Sequence, residues 1–243
     1  MSTEDTVSVP AAGSRTATAR ERARAELTRE IKEEARRQLA ASGADGLSLR
    51  AVARQLGMVS SAIYRYYPSR DDLLTALIID AYDAIGEAAE GAAAGAAAAR
   101  ERWAATCHAV RDWARANPHE YALIYGSPVP GYRAPQETVP HASRVPLAFT
   151  GLLGAATENG EVVEVKDAVP VDGQLAAQAA TLAAILAPPA IPPAVLVRGV
   201  IAWTQIFGMI SFELFGQFVG SFEPADAIFA NAVEQLAAFV GIR

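Results

Sequence analysis

The stretch from Leu47 to Leu77 constrains the fold of this chain more than any other part of its sequence. Gly57 stands where a first short helix would end in the left-handed conformation. A second short helix is predicted over 60–67 and ends before Pro68, which cannot continue a helix. Two helices joined by a short glycine-containing turn predict a helix-turn-helix, whose second helix lies in the DNA major groove. The apolar stripe of the first helix, at i, i+3, i+4 and i+7, consists of Leu49, Val52, Ala53 and Leu56.

The same stretch contains a set of short motifs: Leu47-Ser48-Leu49, Val52-Ala53, Leu56-Gly57, Ile63-Tyr64-Arg65-Tyr66-Tyr67, Ser69-Arg70 and Leu73-Leu74. Through these residues it resembles the N-terminal DNA-binding domain of the TetR family of bacterial transcriptional regulators. An ordinary three-helix packing unit is the alternative, but it does not explain why Tyr64, Arg65 and Tyr66 stand together on a short helix.

The resemblance implies which residues of this chain would contact DNA. Arg65 could bind guanine O6 and N7 with two hydrogen bonds, and Ala62 could contact a thymine methyl group. The other contacts to phosphates would position the protein without reading sequence. The implied groove-facing set is Ser60, Ser61, Ala62, Tyr64 and Arg65, and the implied phosphate-contacting set is Ser48, Arg50, Tyr66 and Arg70.

Two details of the second helix follow from its residue types. Tyr67 and Ile63 recur at i, i+4 and are predicted to face the core. Val59 has no side-chain oxygen and cannot cap a helix, so Ser60 is expected to be the N-cap residue. The start of this helix therefore stays open by one residue.

The sequence divides into three parts. Residues 1–22 are predicted to form a flexible arm that offers Arg15, Arg20 and Arg22 to phosphates. Residues 23–85 would form a three-helix DNA-binding domain with the start of helix four, and residues 86–243 an effector-binding and dimerisation domain of about six helices. Helix one is expected over 23–41, and a helix end and short connection over 86–99. Ser48 and the pair Ser69 and Asp72 are predicted N-terminal caps.

The distribution of charge agrees with this division, although the net charge is −6. Residues 15–80 hold 12 Lys and Arg against 9 Asp and Glu, whereas residues 81–243 hold 9 against 16. Phosphate contact depends on the local charge, so the acidic total does not exclude DNA binding.

The C-terminal half is predicted to be entirely helical, so the fold class is all-α. The segments 121–132 and 212–218 resemble one C-terminal type among TetR-family regulators, and this resemblance implies a small-molecule effector site and a homodimer interface. Aromatic residues at helical spacing are more often plain core than ligand contacts, so plain core stays as the alternative for each. The predicted effector-site residues are Trp103, Tyr121, Tyr125, His141, Phe149, Trp203 and Phe207, with the proline-rich segment 126–146 as a possible lid. The predicted dimer residues are Ile206, Met209, Ile210, Phe212, Leu214, Phe218, Phe229, Val233, Leu236 and Val240.

Several other classes of protein are disfavoured. The single cysteine, Cys107, permits no internal disulfide and fits a reducing cytoplasm. Neighbouring helical residues point about 100° apart, so Cys107 and His108 cannot form a nucleophile–base pair. No phosphate-binding loop or metal-ligand cluster is present in the sequence, so no catalytic residue, cofactor or metal is predicted. Residues 173–197 lack charge, but Pro188-Pro189 and Pro192-Pro193 interrupt them, and no membrane span is expected. An architectural DNA-binding protein without an effector and an enzyme using an apolar cavity remain as alternatives.

Overall fold

The computed structural model describes residues 19–95, 97–166, 168–186 and 191–243. Its fold over these residues is all-α, as predicted, with eleven α-helices. The first eighteen residues of the predicted arm and the Pro188-Pro189 interruption lie outside the described residues. The helices are α1 (Ala19–Ser42), α2 (Leu49–Gln55), α3 (Ser60–Ile63), α4 (Arg70–Ala93), α5 (Ala99–Ala116), α6 (Pro118–Tyr125), α7 (Val139–Ala142), α8 (Arg144–Glu158), α9 (Gly173–Leu186), α10 (Pro193–Leu214) and α11 (Asp226–Val240).

Helix α1 begins at Ala19, earlier than the predicted start at residue 23. Arg20 and Arg22 therefore belong to a helix and not to a flexible arm. The apolar stripe of α1 begins at Leu27, which packs against the core, so the first two turns carry no periodic apolar signal. Their Ala, Arg and Glu residues favour helix by intrinsic propensity instead.

The N-terminal core is formed by α1, α2, α3 and the first half of α4. Both predicted N-terminal caps are confirmed: Ser48 Oγ accepts from Ala51 N at 3.4 Å, and Ser69 Oγ accepts from Asp72 N at 3.1 Å. The buried side chains of this core are Ile31, Ala35, Leu39, Leu47, Leu49, Val52, Ala53, Ile63, Tyr67, Leu73, Leu74, Leu77 and Ile78. Side chains of α6 and of the segment after it, including Leu123, Val129 and Tyr132, pack against this core.

The helix end and short connection expected over 86–99 are confirmed, because α4 ends at Ala93 and α5 begins at Ala99. The N-terminal half of α4 reaches the first core through Ile78, and its C-terminal half enters a second core from Ile85 onward. Gly86 lies inside α4 and allows close contact with α8, since a Cβ atom there would lie 2.7 Å from Arg144 Cβ. The predicted division at residue 85 thus falls inside one helix.

The second core is formed by the rest of α4 with α5, α8, α10 and α11, together with Tyr121 of α6. Arg111 of α5 is buried and donates to both carboxylate oxygens of Glu213 on α10 at 2.7 and 2.8 Å. It also donates to Asp226 of α11 at 3.0 Å, so one guanidinium joins three helices. A buried charge needs such partners.

Two irregular segments contain ordered elements. The proline-rich segment contains a 3-10 turn (Gln136–Thr138) and α7 before α8 begins at Arg144. In the connector that follows α8, Val162 forms an isolated antiparallel bridge with Ile242.

One helix among the described residues, α10, is long and apolar enough to cross a membrane by length and composition. Its mean hydropathy is 1.6, and 39% of the most apolar window is buried in the fold. Its buried side chains, among them Ala202, Ile206 and Ile210, form part of the second core. A helix at the centre of a bundle has the same composition, so its hydropathy follows from its place in the fold.

The two glycines of α4 should respond oppositely to alanine. We expect Gly86→Ala to destabilise the protein by about 1–3 kcal/mol, because the added Cβ must displace Arg144 Cβ. Gly91→Ala has no atom within 4 Å of the new Cβ and should stabilise by about 0.5–1 kcal/mol through helix propensity. Urea denaturation of the two variants checks this, and equal effects would contradict the close packing of α4 on α8.

Candidate functional site

The turn between α2 and α3 has the geometry of a Schellman helix end. Gly57 adopts a left-handed conformation, with φ of +64°. Its N–H donates to Arg54 O at 3.2 Å, and Met58 N–H donates to Ala53 O at 2.8 Å. These bonds terminate α2 and direct the chain into α3, which gives the helix-turn-helix predicted from the sequence.

Helix α3 is shorter than predicted and ends at Ile63. Arg65 N–H donates to Ala62 O at 3.2 Å and Tyr66 N–H to Ile63 O at 2.9 Å, so the chain continues in tighter turns of three residues. Pro68 closes the element, as expected. Val59 occupies the N-cap position with an extended backbone and no side-chain bond, so the expectation that Ser60 caps this helix is wrong.

Most of the residues expected to contact DNA are accessible on this element. Ser60, Ser61 and Arg65 are exposed, and Tyr64 is 42% exposed. Ala62 and Tyr66 are half-buried. The prediction that Ile63 and Tyr67 belong to the core is confirmed. The accessible surface thus carries hydroxyl groups, one phenol and one guanidinium, which are groups able to bind base edges.

The residues expected to contact phosphates differ in their exposure and in their contacts within the protein. Ser48 and Arg50 are exposed at the start of α2, and within the described part of the chain no ion pair involves Arg50. Arg70 instead donates to Ala44 O at 2.7 Å and lies 3.4 Å from Asp71, so much of its guanidinium fastens the turn that follows α1. Tyr66 lies under the guanidinium of Arg24, 5.2 Å from its ring centroid.

Four of the seven predicted effector residues come together in one aromatic cluster, which consists of Tyr121, Tyr125, Trp203 and Phe207. The ring centroids of Tyr125 and Phe207 are 4.6 Å apart, and those of Trp203 and Phe207 are 5.4 Å apart. Tyr121 is fully buried, and its hydroxyl donates to Phe207 O at 3.1 Å. Burial raises the pKa of Tyr125, so its phenol is neutral at physiological pH.

The other three predicted effector residues lie elsewhere. Trp103 and Phe149 form a separate pair in the core, with ring centroids 5.4 Å apart, and Trp103 Nε1 donates to Val233 O at 3.1 Å. His141 Nδ1 lies 2.7 Å from Asp83 Oδ1 and fastens α7 to α4. Their contacts therefore give these three residues roles in packing.

Trp203 carries the feature of the aromatic cluster that most suggests a ligand. Its Nε1 atom is buried and makes no hydrogen bond in the structure. A buried N–H without an acceptor costs about 1–3 kcal/mol, and native proteins generally satisfy such groups. A bound molecule with a hydrogen-bond acceptor would satisfy it.

A cleft of about 410 Å³ between the two halves was not anticipated from the sequence. It is lined by the end of α1, by α6, by the segment 126–130 and by Phe215, which is 48% exposed. None of the seven predicted effector residues lines it. Its walls come from three separate parts of the chain, and no periodic pattern brings such parts together.

The predicted dimer residues require correction. Ile206, Ile210, Phe229, Val233 and Val240 are buried within one chain, so they form the core and cannot meet a partner. The apolar side chains that α10 does expose were mostly overlooked, because the sequence shows apolar residues on every side of this helix. They and their neighbour beyond its end are Val200, Ile201, Phe212 and Phe215.

An all-α chain with an accessible helix-turn-helix at one end is, by class, a DNA-binding regulator with a helical C-terminal domain. The family model described as "Bacterial regulatory proteins, tetR family" matches residues 31–77, and that of the "Tetracyclin repressor-like, C-terminal domain" matches residues 103–236. The chain belongs to the TetR family of bacterial transcriptional regulators.

Relatives and solved structures agree with this assignment. The chain is 40% identical over 201 residues to the HTH-type transcriptional regulator Rv1816 of Mycobacterium tuberculosis, covering 81% of this chain and 84% of that protein. The crystal structure of SCO4313 is 36% identical, with a TM-score of 0.75, and covers 91% of this chain and 100% of that one. A TetR-family protein from Rhodococcus RHA1, 20% identical with a TM-score of 0.60, covers 90% and 98% and shares the fold.

Proposed function

We propose that this transcriptional regulator is a repressor, which binds a palindromic operator in double-stranded DNA as a homodimer and is released by a small, mainly apolar effector. It would act in the cytoplasm. The observation that carries the DNA-binding part is the accessible element Ser60–Tyr66, which presents Arg65, without an ion-pair partner among the described residues, beside hydroxyl groups. The residues from α1 to the first half of α4 would be the DNA-binding part, and the residues from Ile85 onward the effector and dimerisation part.

An inverted repeat follows from two-fold symmetry. Each chain supplies one recognition element, so a two-fold dimer places two of them on one side of the duplex. Half-sites about one helical turn, or ~34 Å, apart would fit this arrangement. An architectural DNA-binding protein would select no such repeat.

The exposed face of α10 supports the homodimer. Ile201 and Phe212 are eleven residues apart, which is close to three helical turns, so they lie on the same side of the helix. Phe212 is 54% exposed, and Ile201 is 43% exposed. Large apolar side chains exposed on one side of a helix favour a protein–protein interface there.

Side-chain contacts between α1, α4 and α6 provide a route from effector to DNA. Asp80 of α4 accepts from Lys32 and from Arg36 of α1, each at 2.7 Å. Arg36 also donates to Glu120 of α6 at 2.8 Å. Helix α6 carries Tyr121 and Tyr125 of the aromatic cluster. A ligand at Trp203 that displaces α6 would therefore also displace α1.

Release from DNA requires an effector that binds more tightly to the arrangement of the dimer that does not bind DNA. A 100-fold loss of operator affinity corresponds to a coupling free energy of roughly 2.7 kcal/mol, which lies in the usual range. A ligand with equal affinity for both arrangements would leave DNA binding unchanged.

Selection from random duplexes tests the function directly. The protein should enrich one inverted repeat, and Arg65→Ala should lose about 1–3 kcal/mol of discrimination at one base pair in each half-site, because the guanidinium is the bidentate group of the element. Arg54→Ala removes the same charge from the exposed end of α2 and is the control; it should keep the specificity. Enrichment of a lone asymmetric half-site would contradict the dimeric operator.

The dimer interface is tested by a charge placed on the exposed side of α10. We expect Phe212→Glu to give monomers in light scattering, because two carboxylates would meet across the two-fold axis. Leu147→Glu, at a 44% exposed side chain of α8, is the control and should remain dimeric. A dimeric Phe212→Glu variant would place the interface elsewhere.

The effector site is tested at the unpaired indole N–H. Ligands are first found by thermal shift against apolar compounds that carry a hydrogen-bond acceptor. Trp203→Phe keeps an aromatic ring but removes the donor, so affinity should fall roughly 5- to 10-fold. Trp113→Phe, at a half-buried indole of α5, is the control. If a tight ligand left operator affinity unchanged, the regulatory role of this site would be refuted.

A further inference from the structure

The start of α1 lies beside the recognition element, although the two are far apart in sequence. The guanidinium of Arg24 stands over the ring of Tyr66, with Cζ 5.2 Å from the ring centroid. Between them is a cavity of about 360 Å³. The residues that line it are Arg20, Ala23, Arg24, Leu27, Arg65 and Tyr66. The name "α1 pocket" is used below for this set.

The α1 pocket has an unbalanced charge. It is lined by three guanidinium groups and no carboxylate. Farther along α1 the cations are neutralised: Arg29 pairs with Glu26 and Glu33, and Lys32 and Arg36 pair with Asp80. The positive charge of α1 that remains available is therefore concentrated beside Arg65.

The geometry points to an anion as the occupant. Arg24 has an aromatic face on one side, which holds the planar guanidinium while its N–H edge stays available. Arginine binds phosphate with two parallel N–H···O bonds. Because the aromatic face already restricts the orientation of Arg24, less side-chain conformational entropy is lost when the phosphate binds. Arg65 belongs to both the recognition element and this pocket, so an anion in the pocket would lie next to the bases that Arg65 contacts.

We propose that the α1 pocket binds a backbone phosphate of duplex DNA, next to the groove that the recognition element enters. Arg24 and Arg20 hold the phosphate, and Tyr66 acts as the platform that orients Arg24. This assigns Tyr66 a positioning role through its ring, in place of a direct phosphate contact through its hydroxyl group. The inference rests on the proposed DNA binding and adds a contact from outside the helix-turn-helix.

The salt dependence of operator binding measures the contact. Each neutralised phosphate contributes about 0.9 to the slope of log K against log salt concentration, and a dimer carries two α1 pockets. Arg24→Ala should therefore reduce the magnitude of the slope by about 1.8. Its operator affinity should fall while the ratio of specific to non-specific affinity is kept, because a phosphate contact does not read sequence.

Arg29→Ala is the matched control, since it removes the same side chain from an exposed position on the same helix. Its slope should stay within about 0.5 of the wild-type value. Equal slopes for wild type and Arg24→Ala would overturn the proposal. A wild-type protein that binds no DNA would instead refute the proposed function itself, so the two failures are distinguishable.

Two substitutions of Tyr66 distinguish the contribution of its ring from that of its hydroxyl group. Tyr66→Phe keeps the platform and should bind the operator as wild type does, whereas Tyr66→Leu should bind roughly two- to fivefold more weakly. Circular dichroism and thermal denaturation establish that both variants are folded. Weakened binding by a folded Tyr66→Phe variant would assign the phosphate contact to the hydroxyl group and refute the proposed role of the ring.

Discussion

Helix α4 is the constraint on which the rest of the structure depends, because it is a single helix that belongs to two hydrophobic cores. Leu73 through Ile78 lie in the N-terminal core, and Ile85 with Ala89 lie in the second. An α-helix is stiff over this length, so the two halves cannot reorient independently without bending or shifting α4. The close contact of Gly86 with α8 fixes α4 to the second core.

Polar contacts complete the connection that α4 begins. Asp80 gathers two cations of α1, and one of these, Arg36, also binds α6. These pairs are half-buried, so salt screens them less than it screens exposed ion pairs. In the second core, Arg111 similarly joins α5 to α10 and α11. The fold is thus held by apolar cores within each half and by ion pairs between helices.

Much of this structure follows from the sequence because it depends on local interactions. The apolar stripe of α2, Gly57 and Pro68 indicate a helix-turn-helix, and the caps at Ser48 and Ser69 involve residues three positions apart. The local signals were less successful where tertiary contact outweighs propensity. Gly86 lowers helix propensity, yet it lies inside α4 where α8 packs closely. The shape of α3, its cap at Val59 and the role of Arg70 also depend on neighbours that the local pattern does not include.

The sequence by itself determined the all-α class, the family, and the residues that could face DNA, since these reside in periodicity and in short motifs. Only the tertiary structure decided which apolar residues of α10 and α11 are core and which are exposed, because both sides of an all-apolar helix look alike in sequence. It also decided that Trp203 joins Tyr121, Tyr125 and Phe207 while Trp103, Phe149 and His141 do not. Arg24 and Tyr66 meet for the same reason: contacts between distant segments arise from the packing of whole helices, which no single segment encodes.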